Sequence, residues 1–108
     1  MKELALQIVR CVDDQHQPGW VECEFTDADR RRHILVDKIP IFTLDILDNS
    51  SKYPRPAGVA CEILDTRYDL LGRQLVSITI DRPYHVESTE KLAEFVVLAT
   101  QLSEVCNK

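Results

Sequence analysis

The sequence contains no Cys-x-x-Cys pair, no His-Glu-x-x-His, no Gly-x-Ser-x-Gly and no glycine-rich phosphate loop. These absences remove the usual motif-level signs of a zinc site, a metalloprotease, a serine hydrolase and a nucleotide-binding enzyme. Its four cysteines, Cys11, Cys23, Cys61 and Cys106, stand far apart. They are predicted to be small, reduced core residues without a disulfide. His16, His33 and His85 are equally scattered, which predicts surface or turn positions rather than a metal centre. Carboxylates are plentiful, but no pair of them is marked out for acid–base work. The expectation is a protein that is not an enzyme and holds no metal or cofactor.

Glycine and proline are also scarce, three and five of 108 residues, too few for a low-complexity or disordered chain. No apolar run approaches the ~20 residues that a membrane-spanning helix needs. The opening MKELALQIVRCVDD is interrupted by Glu3 and Arg10 and lacks a small-residue cleavage site, so it does not read as a signal peptide. Together these features predict a single soluble, cytoplasmic domain over residues 1–108, with no membrane partner. A chain of this length buries roughly 65% of its unfolded surface and needs no staple.

Clustered positive charge is missing as well. The formal net charge is −5, and the one basic run, Arg30 to Arg32, follows Asp27 and Asp29, as in a solvated turn. Nucleic acid is therefore disfavoured, because displacing counterions from a phosphate backbone requires grouped Lys and Arg. An acidic surface suits a basic protein partner instead.

What the sequence does contain is alternation. Val21, Cys23 and Phe25 alternate with Trp20, Glu22 and Glu24; Val59, Cys61 and Ile63 with Ala60, Glu62 and Leu64; Val76, Ile78 and Ile80 with Leu75, Ser77 and Thr79. Leu4 to Asp13 is a further strand, apolar on both sides near its middle, which predicts cover on both faces. Turn chemistry separates the runs at Asp14 to Gly19, Asp27 to Asp29 and Asp69 to Gly72. Short loops imply antiparallel neighbours. A two-residue turn at Leu70 and Leu71 sets Ile63 opposite Ile78; a wider loop with Gly72 in the left-handed region is the other solution. Across the first hairpin, setting Val12 opposite Val21 and Ile8 opposite Phe25 aligns the apolar faces. A shift of one sets Cys11 opposite Cys23.

Two segments resist a simple assignment. Leu92, Phe95, Val96, Ala99, Leu102 and Cys106 recur at helical spacing behind Ser88 or Thr89, yet Glu94 to Leu98 equally reads as a strand. The stretch KIPIFTLDILDNSSKYPRP, Lys38 to Pro56, begins like a strand and continues as a loop longer than compact domains usually use. Ile39 to Phe42 can extend strand three, with Pro40 at an edge or bulge. Thr43 can then cap a helical turn, Leu44 to Leu47, that tucks Leu44 and Leu47 onto the sheet. The overall expectation is a mainly all-β fold, a curled antiparallel sheet of about six or seven strands forming a half-barrel or small barrel with one short helical turn.

Ile39 to Phe42, Tyr53-Pro54, Cys61 to Leu64, Gly72 to Val76, Glu87-Ser88 and Glu94 to Val97 carry a resemblance. The chain resembles a family of small bacterial proteins that look like immunity proteins, the cognate inhibitors of antibacterial toxins of contact-dependent growth inhibition and similar systems. Related sequences place Gly near Lys91, which implies a turn there and a final strand from Phe95 to Gln101. The resemblance implies a toxin as partner and brings no catalytic motif.

The candidate binding residues are Trp20, Glu22 and Glu24, on the outward face of strand two, and Asp45, Asp48 and Tyr53, on the long loop stiffened by Pro54 and Pro56. An aromatic anchor beside carboxylates suits a basic nuclease, on which the carboxylates take the place of substrate phosphates. The structural alternative has Trp20 covering one end of the barrel, the glutamates solvated and the loop merely closing the sheet. The functional alternative is a housekeeping β-module that self-associates as a weak homodimer or carries a small ligand, which requires an exposed strand edge or a sizeable apolar cavity.

Overall fold

In the computed structural model, which describes residues 1–105, seven strands form one curled antiparallel sheet. They are β1 (Lys2–Asp13), β2 (Trp20–Thr26), β3 (Arg32–Lys38), β4 (Arg55–Tyr68), β5 (Gln74–Thr79), β6 (Glu94–Leu98) and β7 (Leu102–Glu104). A four-residue helix, α1 (Ile39–Phe42), follows β3, and a 3-10 turn (Ala99–Gln101) separates β6 from β7. The order is β3-β2-β1-β4-β5-β6, with β7 returning to pair with β1. The result is the half-barrel expected from the alternation, with a short helix as its one α-helical element among the described residues.

The curl comes from β4, which is long enough to serve two ladders. Its first half pairs with β1, from Arg55 opposite Ile8 to Cys61 opposite Lys2. Its second half pairs with β5, from Glu62 opposite Thr79 to Tyr68 opposite Gln74. Leu4, Leu6 and Ile8 of β1 therefore face Val59 and Cys61 of β4 and Val76, Ile78 and Ile80 across one core, joined by Val21, Cys23, Leu35, Phe95 and Val97. Each such aliphatic side chain contributes about 1.5–3 kcal/mol on burial.

Register settles several open choices. The β4–β5 loop is the wider one, with Gly72 at φ 78, yet Ile63 still stands opposite Ile78. A bulge at Leu64 absorbs the extra residue, so both features hold at once. The first hairpin opens in the apolar-match register, with Asp13 opposite Trp20, but does not keep it. Ile8 faces Cys23 and Cys11 faces Val21, because irregularities at Val9 and Val12 shift the ladder twice. The apolar match is still satisfied, since Ile8 and Cys23 are both fully buried.

Other expectations are corrected by the single-layer architecture. β1 is buried on one face only; Ala5 and Gln7 are exposed, because no second layer covers the outside. Ile63 is 41% exposed, since β4 has by then passed the end of β1. Helical structure occupies Ile39–Phe42 rather than Leu44 to Leu47. Pro40 explains this: it lacks an N–H that the first turn of a helix does not use. Thr43 closes the helix instead of opening one, its N–H donating to the Ile39 carbonyl, and Leu44 is 98% exposed while Leu47 is buried.

The last segment is a strand. Phe95 and Val97 are buried in β6, and Lys91 adopts φ 66, a left-handed turn conformation at the place where the resemblance implies a glycine. Ser88 does cap, but its Oγ accepts from the N–H groups of Glu90 and Leu92 in a turn rather than a helix. Gln101 fastens the following corner. Its side-chain oxygen accepts the Leu98 N–H and its side-chain nitrogen donates to the Thr26 carbonyl, at 2.9 and 2.7 Å.

The β2–β3 turn is built around Asp27. One carboxylate oxygen accepts the N–H groups of Asp29 and Arg31, at 2.8 and 3.0 Å, and the other meets His33 Nε2 at 2.7 Å. His33 is buried, contrary to the surface position expected, because it packs between Phe25 and Phe95 with ring centroids 5.2 and 4.6 Å away. An ionised carboxylate only accepts, so Nε2 carries the proton in this bond. Burial pushes the Asp27 carboxyl up, but the bonds from His33, Arg31 and Asp29 outweigh it and hold it below its usual value.

Because that pKa is depressed in the folded state, Asp27 contributes stability that is complete above the unfolded value of about 4. The contribution is lost as pH falls through the folded value. Urea unfolding at a series of acidic pH values should show stability declining below about pH 4, and Asp27→Asn should flatten part of that decline. An unchanged acid limb in the variant would separate Asp27 from acid unfolding.

Cys11, Cys23 and Cys61 are free, but only Cys23 and Cys61 are core residues, since Cys11 is half-buried on a part of β1 that is covered incompletely, and Cys106 lies outside the described residues. Burial pushes the Cys23 thiol up to about 12 and the Cys61 thiol up to about 11. Native protein should therefore alkylate at neither site near neutral pH, and both should react once denatured, as peptide mass mapping can establish. Cys23→Ser should cost about 1–3 kcal/mol, by burying a hydroxyl in a site shaped for a thiol.

Candidate partner-binding surface

The alternation of β2 turns Val21, Cys23 and Phe25 inward and leaves Trp20, Glu22 and Glu24 on the outer face, as expected. The glutamates are not free there. Arg10 lies opposite Glu22 and donates to its Oε1 from both Nε and Nη2, at 3.2 and 3.1 Å; Arg32 lies 3.4 Å from Glu24. Trp20 is half-buried opposite Lys38, whose Nζ stands 5.9 Å from the ring centroid. The indole lines a cleft of about 520 Å³ with Val36, Asp37, Ser88 and Thr89. Cation and anion thus alternate across this face, and its charges largely cancel within the sheet.

The second group is assembled by the loop from Thr43 to Pro54. Leu47 anchors the loop in the core, and Tyr53 packs partly against it. The Tyr53 hydroxyl donates to the Asp48 carbonyl at 2.8 Å. Burial pushes the Tyr53 phenol up, keeping it in its donor form. Asp48 folds back on its own turn, where Oδ1 accepts from the N–H and hydroxyl of Ser50 at 2.8 and 2.6 Å. The Ser50 hydroxyl, followed by its N–H, holds the Asp48 carboxyl below its usual value. Asp45 pairs with Arg55 at 2.8 Å, while its N–H donates to the Thr43 hydroxyl. Asp14 reaches across from the β1–β2 loop to accept the Asn49 N–H at 3.1 Å.

This bracing places two residues that the sequence reading did not select. Leu44 and Ile46 are each 98% exposed on either side of Asp45. They border a cavity of about 250 Å³ whose walls include Asp14, Pro18, Gly19, Ile39 and Leu47. Gly19 keeps the cavity floor tight, since a Cβ there would stand 2.8 Å from the Asp13 carbonyl oxygen. The missed signal was the spacing in Leu-Asp-Ile-Leu-Asp: with the helix started early by Pro40, one aliphatic residue of three reaches the core.

The six expected residues thus divide between two surfaces. Asp45, Asp48 and Tyr53 share the loop, while Trp20, Glu22 and Glu24 belong to the β2 face, where Trp20 alone of the three lines a separate cleft. Among the described residues no three of His, Cys, Asp and Glu come together as metal ligands, and no helix is long and apolar enough to cross a membrane. The chain matches no family model, no curated protein and no solved structure.

Proposed function

We propose that this protein is an immunity-type inhibitor: a cytoplasmic binding protein that neutralises a basic toxin by covering its active cleft, with no chemistry of its own. The observation that carries the reading is the display of Leu44 and Ile46, each 98% exposed, on a loop held by internal hydrogen bonds. Large aliphatic side chains offered together at a surface mark an interaction site more often than isolated ones do. A braced loop loses little conformational freedom on docking. Asp14 and Asp45 line the same cavity as the pair, Asp45 being held by Arg55, and the net charge of −5 suits a basic partner through complementary fields. Trp20 is a secondary anchor at most, being half-buried beside Lys38.

The test is survival of sensitive cells that express the toxin domain encoded beside this gene, with wild-type protein or variants supplied in trans. Leu44→Ser combined with Ile46→Ser should abolish protection, raising the dissociation rate and weakening binding by about tenfold or more. Fold stability should stay within about 0.5 kcal/mol, because neither side chain is buried. Asp45→Lys should instead slow association, an effect that shrinks at high salt. Asp48 is a poor charge probe, since its carboxylate caps the Asp48–Ser51 turn. Full protection by the well-folded double variant would remove the loop from the interface.

A further inference from the structure

Beyond Cys61, β4 leaves β1 behind, and from Glu62 to Tyr68 every residue is exposed. β5 occupies one edge of this half. Among the described residues, no strand pairs with the other edge from Ile63 to Tyr68. Natural sheets commonly blunt such an edge with charged side chains, lysine above all, with proline or with a local irregularity, and the only charges from Asp65 to Tyr68 are the opposite pair Asp65 and Arg67. Here the bulge sits at the inner end, at Leu64, and Asp65 to Tyr68 forms a regular ladder with β5, free of lysine and proline. Leu64 and Tyr68 are 43% and 70% exposed beside it.

We infer that this edge pairs with the same edge of a second copy of the chain, antiparallel and centred on Thr66. Residues along a strand alternate in which edge their N–H and C=O groups address. A strand meeting its own twofold copy must therefore set residues of equal parity opposite each other, which leaves few registers. Centring on Asp65 opposes two aspartates, and centring on Arg67 opposes two arginines. Centring on Leu64 requires Cys61 to face Arg67, although Cys61 is already paired with Lys2. Centring on Thr66 sets Asp65 opposite Arg67 twice and Leu64 opposite Tyr68 twice. Within Leu64 to Tyr68 each flanking pair is then either oppositely charged or joins two large, mainly apolar side chains. The intrachain Asp65–Arg67 contact, 3.6 Å and exposed, gives way to two cross-strand pairs. Charge complementarity thus selects a second copy as the occupant. The edge lies at the opposite end of β4 from the Leu44–Ile46 loop, so dimerisation is independent of the partner reading above.

The experiment is sedimentation equilibrium of the full chain across micromolar to millimolar concentration. The wild type should show a monomer–dimer equilibrium. Asp65→Arg alone, or Arg67→Asp alone, should raise the dimer dissociation constant about tenfold, by placing like charges opposite one another. Mixing the two single variants should restore dimerisation as a heterodimer, because each then supplies the charge that the other lacks. Both sites are exposed, and circular dichroism should report an unchanged fold. The dimer should also persist in the Leu44→Ser, Ile46→Ser variant. A wild type that stays monomeric at millimolar concentration, or a dimer indifferent to all three charge tests, overturns the inference.

Discussion

One strand serves two ladders, and the shape of the molecule follows from it. β4 runs for 14 residues, more than twice the usual strand length of about 5–6. Its first half pairs with β1, and Gly58 leaves the room that the Glu3 side chain occupies, since a Cβ there would overlap it. Its second half needs β5, and the bulge at Leu64 adjusts the register where one ladder gives way to the other. A strand that changes partners midway cannot hold a flat sheet. The sheet curls, and one face of β1, β2, β5 and β6 closes on a single core.

The same division decides which parts of the surface remain available. The outer face of β2 is laced with ion pairs between neighbouring strands, so its carboxylates already have cationic partners. Such exposed pairs add little stability, typically under about 1 kcal/mol each. They do cancel the charge that a partner would otherwise meet. Unbalanced features lie instead at the two ends of β4. At its start the loop turns out Leu44 and Ile46; at its finish the hairpin leaves a strand edge unpaired among the described residues.

The corner opposite the hairpin shows how a small sheet without a covering layer is kept closed. The β2–β3 turn docks on β6 through the Ala28 N–H and the Val96 carbonyl, and Gln101 ties Thr26 to the β6–β7 corner. Behind it His33, Phe25 and Phe95 pack with Asp27 beneath them. Polar bonds thus hold this corner, although the buried His33 Nδ1 has no hydrogen-bond partner among the described residues.

Alternation in residues 20–26 and 75–80 was enough to establish strands, their inward faces and an antiparallel half-barrel, because side-chain period is a local property of the chain. The Gly72 loop was one of two solutions that the turn residues allowed, whereas Pro40 pointed to a strand edge or bulge and instead opens a helix. Register was not local. Ile8 meets Cys23 only because two irregularities accumulate along β1, and these depend on how both neighbouring strands pull on it. Burial was not local either: His33 is enclosed because Phe95, 62 positions later, returns beside it, and Ile63 is exposed because β1 ends first. For the candidate surface, the sequence identified the long loop and its Asp45, Asp48 and Tyr53. Only the tertiary structure decided that Arg55 and Ser50 would engage the carboxylates and that Leu44 and Ile46 would face water, since one early helical turn rotates every residue that follows.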